Sequence, residues 1–201
     1  MIPAMNCRAI QGHLRSLLTV SGSAQYGGEA VSQLEHALQC AHAAEDAGEA
    51  APLIVASLLH DVGHLLESDF NQALTLSHDL RHEAIGAQYL RRVFPVAVTE
   101  PIRLHVVAKR YLCSVRPSYL TTLSEASLHS LSLQGGPLDD SEVRQFESEP
   151  FHRQAIRLRE YDDRAKCPGA MTPDLDHFLQ FIDLIFREQA APGGTLESGA
   201  P

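Results

Sequence analysis

Positive charge is scarce in this chain. Sixteen Lys and Arg stand against 25 Asp and Glu, a formal net charge of −9, and a surface that negative repels phosphate backbones and anionic lipid. No nucleic-acid partner and no membrane surface are therefore expected. No run approaches the roughly 18 apolar residues of a membrane span, and the N-terminus turns polar at Asn6, Arg8 and Gln11, unlike a signal peptide. The four cysteines, Cys7, Cys40, Cys113 and Cys167, include no Cys-x-x-Cys pair, so neither a disulfide framework nor a thiolate zinc site is indicated. These absences point to the reducing cytoplasm. Segments that alternate apolar and polar residues are missing too. Only 13 residues are Gly, which excludes collagenous and low-complexity classes.

What is present is a sequence of helical periods. Apolar residues recur at helical spacing over 9–20, 34–44, 53–66, 82–94 and 96–112, then over 119–133, 141–146, 151–162 and 174–186. Prolines at 52, 95, 101, 137, 150 and 173 stand near expected starts or breaks. The fold class is therefore all-α. With 44% hydrophobic residues in 201 positions there is enough apolar surface for one core. The expected organisation is one domain over residues 1–189, with a Gly/Pro/Ser-rich tail over 190–201.

Histidine is abundant, with eleven residues, while Lys109 and Lys166 are the only lysines. The sharpest local feature is His60-Asp61-Val62-Gly63-His64 at the end of an apolar run, where buried polar groups need partners and a metal ion supplies one. Adjacent helical residues diverge by about 100°, so His60 and Asp61 can grip an ion lying between them. His64, one turn on, then faces a substrate or supports the ligands. Further donors come from His36, His82 and His105, each on its own expected helix, and from Asp162 in Tyr161-Asp162-Asp163. Taken singly, each of these histidines reads as a core residue bonded to a carbonyl, and together they read as a ligand set. Imidazole and carboxylate without thiolate suit iron, manganese or zinc, with iron or manganese preferred. Asp61 can bridge two ions, one also held by His36, His60 and Asp162, the other by His82 and His105. The second ion is the less saturated and so the place for substrate or dioxygen. Lys109, one turn beyond His105, can reach over that ion, and Arg159 and Ser127 offer a guanidinium fork and a hydroxyl to a phosphate or phosphonate. Taken singly, Lys109 and Arg159 would be surface ion pairs and Ser127 a solvated hydroxyl.

The pattern His36…His60-Asp61…Asp162 resembles the metal signature of the HD-domain superfamily, mostly metal-dependent phosphohydrolases. With His82 and His105 added, it resembles the HD-type mixed-valent di-iron oxygenases. Tyr26-Gly27-Gly28-Glu29-Ala30, Gln33-Leu34-Glu35-His36, Leu58-Leu59-His60-Asp61-Val62-Gly63-His64, His82-Glu83, Gly86-Ala87, His105 to Leu112 and Gln134-Gly135-Gly136-Pro137 are similar, in order and spacing, to the PhnZ-type organophosphonate oxygenases. The similarity runs from about Tyr26 to Asp163. It implies an HD-domain helical bundle, two irons in an Fe(II)/Fe(III) pair, dioxygen as co-substrate, and a 1-hydroxyphosphonate bound to the open iron through its hydroxyl and phosphonate oxygens. By position it also implies that His64, Lys109, Ser127, Gln134 and Arg159 surround the substrate. Tyr26 and Glu29 correspond to a gate, Tyr26 occupying an iron position until substrate displaces it and Glu29 meeting the substrate's cationic end.

The implied reaction breaks a carbon–phosphorus bond oxidatively and yields a carboxylic acid and phosphate, the protein supplying position and charge. With 2-amino-1-hydroxyethylphosphonate the products would be glycine and phosphate; with the trimethylammonio analogue, glycine betaine and phosphate. A quaternary ammonium favours an aromatic box, and with 6% aromatic residues and no Trp the amino substrate is the expectation. Two rivals are an HD phosphohydrolase of nucleotides or phosphate monoesters and a non-catalytic HD module. Neither accounts for Tyr26, Glu29 and Lys109 together with an intact ligand set.

Overall fold

Seven consecutive buried residues, Leu53 to Leu59, make helix α3 (Ala51–Leu59) apolar on every side, and a helix of that kind belongs in the middle of a bundle. In the computed structural model, which describes residues 6–66 and 81–190, α3 is packed by α2 (Gln33–Asp46), α6 (Val96–Val115), α9 (His152–Arg164) and α10 (Leu175–Ala190). Helix α1 (Cys7–Val20) lies on α10, α4 (Val62–Leu66) on α5 (His82–Leu90), and α5 on α6. Helices α7 (Glu125–Leu133) and α8 (Asp140–Ser148) complete ten helices among the described residues. The fold is all-α, and no described helix is long and apolar enough to cross a membrane.

Local chemistry sets the boundaries. Ser32 and Glu35 form a reciprocal capping box that starts α2, and Asp139 with Glu142 does the same for α8. Pro52 in the first turn of α3 occupies a position that needs no backbone N–H. The expected helix over 53–66 is in fact two, broken at His60-Asp61, and the one over 119–133 divides into a 3₁₀ turn (Tyr119–Thr122) and α7, because the Ser124 side chain accepts from Ser127 N–H and caps α7. Pro101 does not break its helix; it sits inside α6. Helix α10 runs through Ala190, and the rest of the expected tail lies outside the described residues.

Two glycines decide how the far side of the site closes. A Cβ on Gly63 would lie 2.0 Å from the His82 carbonyl oxygen, and one on Gly86 would lie 3.1 Å from Gly63 N. Without side chains there, α4 and α5 cross backbone to backbone, which brings His82 beside Asp61. Arg81, in the left-handed region at φ 48°, turns the chain directly into His82, the first residue of α5. Beneath α6, Leu104, Ala108, Leu138, Phe146 and Ala155 form a second apolar cluster that joins α8 and α9 to the bundle.

Candidate di-metal site

His36 on α2, His60 and Asp61 beyond α3, His82 on α5, His105 on α6 and Asp162 on α9 converge, all of them buried. His36 Nδ1 donates to the Ala165 carbonyl at 2.8 Å, His60 Nδ1 to Ser57 at 2.9 Å and His105 Nδ1 to Ile102 at 2.7 Å. A carbonyl only accepts, so these bonds fix each ring with its Nδ1 protonated and its Nε2 turned inward as a donor to a metal. The inward nitrogens meet in pairs: His36 and His60 Nε2 are 3.2 Å apart, and so are those of His82 and His105.

Asp61 divides its two oxygens between the pairs. Oδ2 stands 3.7 Å from His36 and 3.3 Å from His60, and Oδ1 stands 3.4 Å from His82 and 3.7 Å from His105. Asp162 Oδ1 lies 3.4 Å from His36 Nε2. Facing lone pairs and carboxylate oxygens demand positive charge between them, and the buried Asp61 Oδ2 and Asp162 Oδ1 have no hydrogen-bond partner. Burial opposes a charge on His60, yet the charge of Asp61 outweighs it and raises the His60 pKa well above the imidazole range. His105 moves the other way, driven neutral by burial and by His82. His36, His60 and Asp61 could hold one ion, and Asp61, His82 and His105 a second. Nitrogen and oxygen donors without sulfur fit iron, manganese or zinc.

Arg159 holds Asp162 in place. Its Nη1 bonds Asp162 Oδ2 at 2.7 Å, which leaves Oδ1 toward His36, while Nη2 pairs with Asp163 and Nε donates to the Tyr119 hydroxyl at 3.2 Å. Tyr119 in turn bonds Asp163. Arg159 is 4% exposed and Lys109 2%, so neither forms the surface ion pair that each would suggest alone.

A cavity of about 170 Å³ opens on the centre, and Tyr26, Glu29, His64, Lys109, Ser127, Gln134 and Arg159 all line it. Asp61, His82, His105 and Asp162 line it too, whereas His36 and His60 do not. Tyr26 covers His36, its ring stacked on the imidazole with centroids 3.9 Å apart. The open side of the centre is therefore the His82/His105 side. Lys109 Nζ donates to Ser130 Oγ at 2.7 Å, and the buried Gln134 Oε1 has no hydrogen-bond partner.

Residues 34–115 match the HD domain family. The chain is 50% identical over 151 residues to a hydroxymethylphosphonate dioxygenase of Gimesia maris, covering 75% of each chain. It is 44% identical over 161 residues to a 1-hydroxy-2-(trimethylamino)ethylphosphonate dioxygenase (glycine-betaine-forming) of Leisingera caerulea, covering 80% of this chain and 82% of the relative. An uncharacterized protein of Acanthamoeba polyphaga mimivirus, L432, is 37% identical over 164 residues, with 80% and 74% covered. The chain belongs to the PhnZ-type HD-domain oxygenases.

In this oxygenase-family chain the cavity lacks the negative excess of the protein as a whole. Lys109, Arg159 and Lys166 face Glu29, Asp61 and Asp162, so the side chains balance and any bound cation tips the site positive. Burial, and then the neighbouring Arg159, pulls the Lys109 pKa down to about 8. Burial, and then His82, on which it stacks at 3.9 Å, lowers His64 to about 3 and holds it neutral at pH 7. Burial, and then Asp162 and Asp61, pushes Tyr26 well above the phenol range, so it stays a hydroxyl. The sequence reading missed one pocket residue of consequence, Lys166. Its signal was there: it is the chain's other lysine, four residues beyond Asp162.

Proposed function

We propose that this protein is a cytoplasmic oxygenase, one domain over residues 1–189, that uses dioxygen to cleave the C–P bond of a 1-hydroxyphosphonate into a carboxylic acid and phosphate. The observation that carries the reading is the cavity itself. It opens on the Asp61, His82 and His105 donors and is walled by Lys109, Ser127, Gln134 and Arg159, a set suited to a dianion bound against a cation. The phosphonate dioxygenase names of the relatives from Gimesia maris and Leisingera caerulea support the same substrate class.

In this proposal His36, His60, Asp61 and Asp162 hold one iron and Asp61, His82 and His105 the other. When bound, the Fe(II)/Fe(III) pair supplies dioxygen activation and a Lewis-acid seat for the substrate's oxygens. The chain does the rest by position. The Lys109 ammonium, the Ser127 hydroxyl and the Gln134 amide bind phosphonate oxygens, and Arg159 adds charge while keeping Asp162 aimed at His36. Neutral His64 takes the substrate hydroxyl. Tyr26 leaves His36 as substrate enters, and the paired positive-φ glycines Gly27 and Gly28 let its loop move.

Phosphate release from hydroxymethylphosphonate by iron-loaded protein, followed together with oxygen uptake, tests this. One dioxygen consumed per phosphate, and no phosphate without air, is expected. Phosphate released anaerobically would point to the hydrolases of the HD superfamily.

A further inference from the structure

The carboxylate expected to receive a substrate's cationic end already has a cation. Lys166 Nζ stands 3.2 Å from Glu29 Oε1, and Ser124 Oγ donates to the same oxygen at 2.5 Å. The lysine is not a loose surface group. Its neighbour Ala165 accepts the His36 Nδ1–H, and Cys167 exchanges two backbone bonds with the Gln39 amide at 2.9 and 3.0 Å, so both flanks are pinned to α2. Lys166 Nζ also donates to Ser127 Oγ at 2.8 Å.

Tyr26 leads to the same conclusion independently. Apart from imidazoles it is the only aromatic ring among the described residues that line the cavity. It stacks on His36, and the Lys166 ammonium lies 6.0 Å from its ring centroid. A quaternary ammonium seeks several open aromatic faces, and here there is one ring, with an ammonium already beside it.

We infer that Lys166 sets the substrate class: it fills the cation position beside Glu29 and Tyr26, so the site selects 1-hydroxyphosphonates with no cationic end. This rests on the phosphonate reading above. For the smallest such substrate, hydroxymethylphosphonate and one dioxygen give formate, phosphate and a proton. The C–P bond and one C–H bond break, one C–O and one P–O bond form, and dioxygen accepts all four electrons.

Anaerobic calorimetry on iron-loaded protein with hydroxymethylphosphonate, 2-amino-1-hydroxyethylphosphonate and the trimethylammonio analogue reads Lys166 without needing turnover. Wild type should bind hydroxymethylphosphonate about tenfold more tightly than either cation, the scale of one charge-assisted hydrogen bond. Lys166→Gln should narrow or reverse that ratio by about the same factor, and adding Glu29→Gln should remove the new preference for cations. A lysine with only a structural role would weaken all three ligands alike. Wild type preferring a cationic phosphonate, or a ratio unchanged in Lys166→Gln, overturns the inference. Absence of oxygen-dependent C–P cleavage would overturn the oxygenase reading instead, while the binding ratios still decide the role of Lys166.

Discussion

Tyr26 lies nearly flat on His36, with their planes 12° apart, and the charge of Asp61, the carboxylate set between both histidine pairs, helps keep its hydroxyl protonated. One side chain thus covers the His36 half of the candidate centre. If it shields that centre, Tyr26→Phe keeps the stacking, loses the hydroxyl and oxidises faster in air without substrate, yet still turns over. Equal autoxidation rates in stopped-flow comparison with wild type would show that Tyr26 only packs.

Asp61 spans both pairs, so its loss should be felt twice. Metal analysis of iron-loaded protein is expected to find two ions per chain in wild type, one in His105→Ala and fewer than one in Asp61→Ala. Because the ions bind the folded chain, chelation should lower Tm in wild type, with 100-fold excess over Kd worth about 2.7 kcal/mol. Asp61→Ala should show little response to the chelator. Two ions retained in Asp61→Ala would end the bridging assignment.

Lys109 gives a pH prediction. Its folded pKa of about 8 lies below the unfolded value, so between that pH and the ordinary lysine range the unfolded chain binds more protons and stability rises with pH. Below about 8 the buried ammonium opposes folding until a phosphonate pairs with it. Lys109→Met should therefore raise Tm of the substrate-free protein by a few degrees at pH 7, each 1 kcal/mol being worth roughly 2–4 °C. The same variant should lose phosphonate affinity about tenfold or more with metal content unchanged. In wild type, affinity should fall as pH climbs through about 8, and in Lys109→Arg that limb should move to higher pH. Lost metal with intact affinity would make Lys109 a scaffold residue.

Gly63 tests the helix crossing. A methyl group there would sit 2.0 Å from the His82 carbonyl oxygen, so α4 and α5 must separate. Gly63→Ala should cost about 3 kcal/mol in urea denaturation and weaken the ion of His82 and His105 more than that of His36 and His60. An alanine variant of wild-type stability with two ions bound would show that the crossing can relax.

The reach of sequence reasoning here follows the reach of the interactions. Helical period and the position of Pro52 act within a turn or two, so most helices of the bundle were legible, though not all of their ends. The convergence of His36, His60, Asp61, His82, His105 and Asp162 was legible because several imidazoles and carboxylates in apolar surroundings need one another or a cation. The break between α3 and α4 was not, because apolar periodicity continues across it. Nor was the burial of Arg159 and Lys109, since a charged residue on a helix reads as solvated until its neighbours are known. The pairing of Lys166 with Glu29 joins distant parts of the chain, and only the docking of α2 against the segment after α9 brings them within 3.2 Å. The sequence by itself therefore determined the fold class and the kind of chemistry, while the tertiary structure decided which charges inside the cavity are already spoken for, because a charge is neutralised by whatever lies next to it in space.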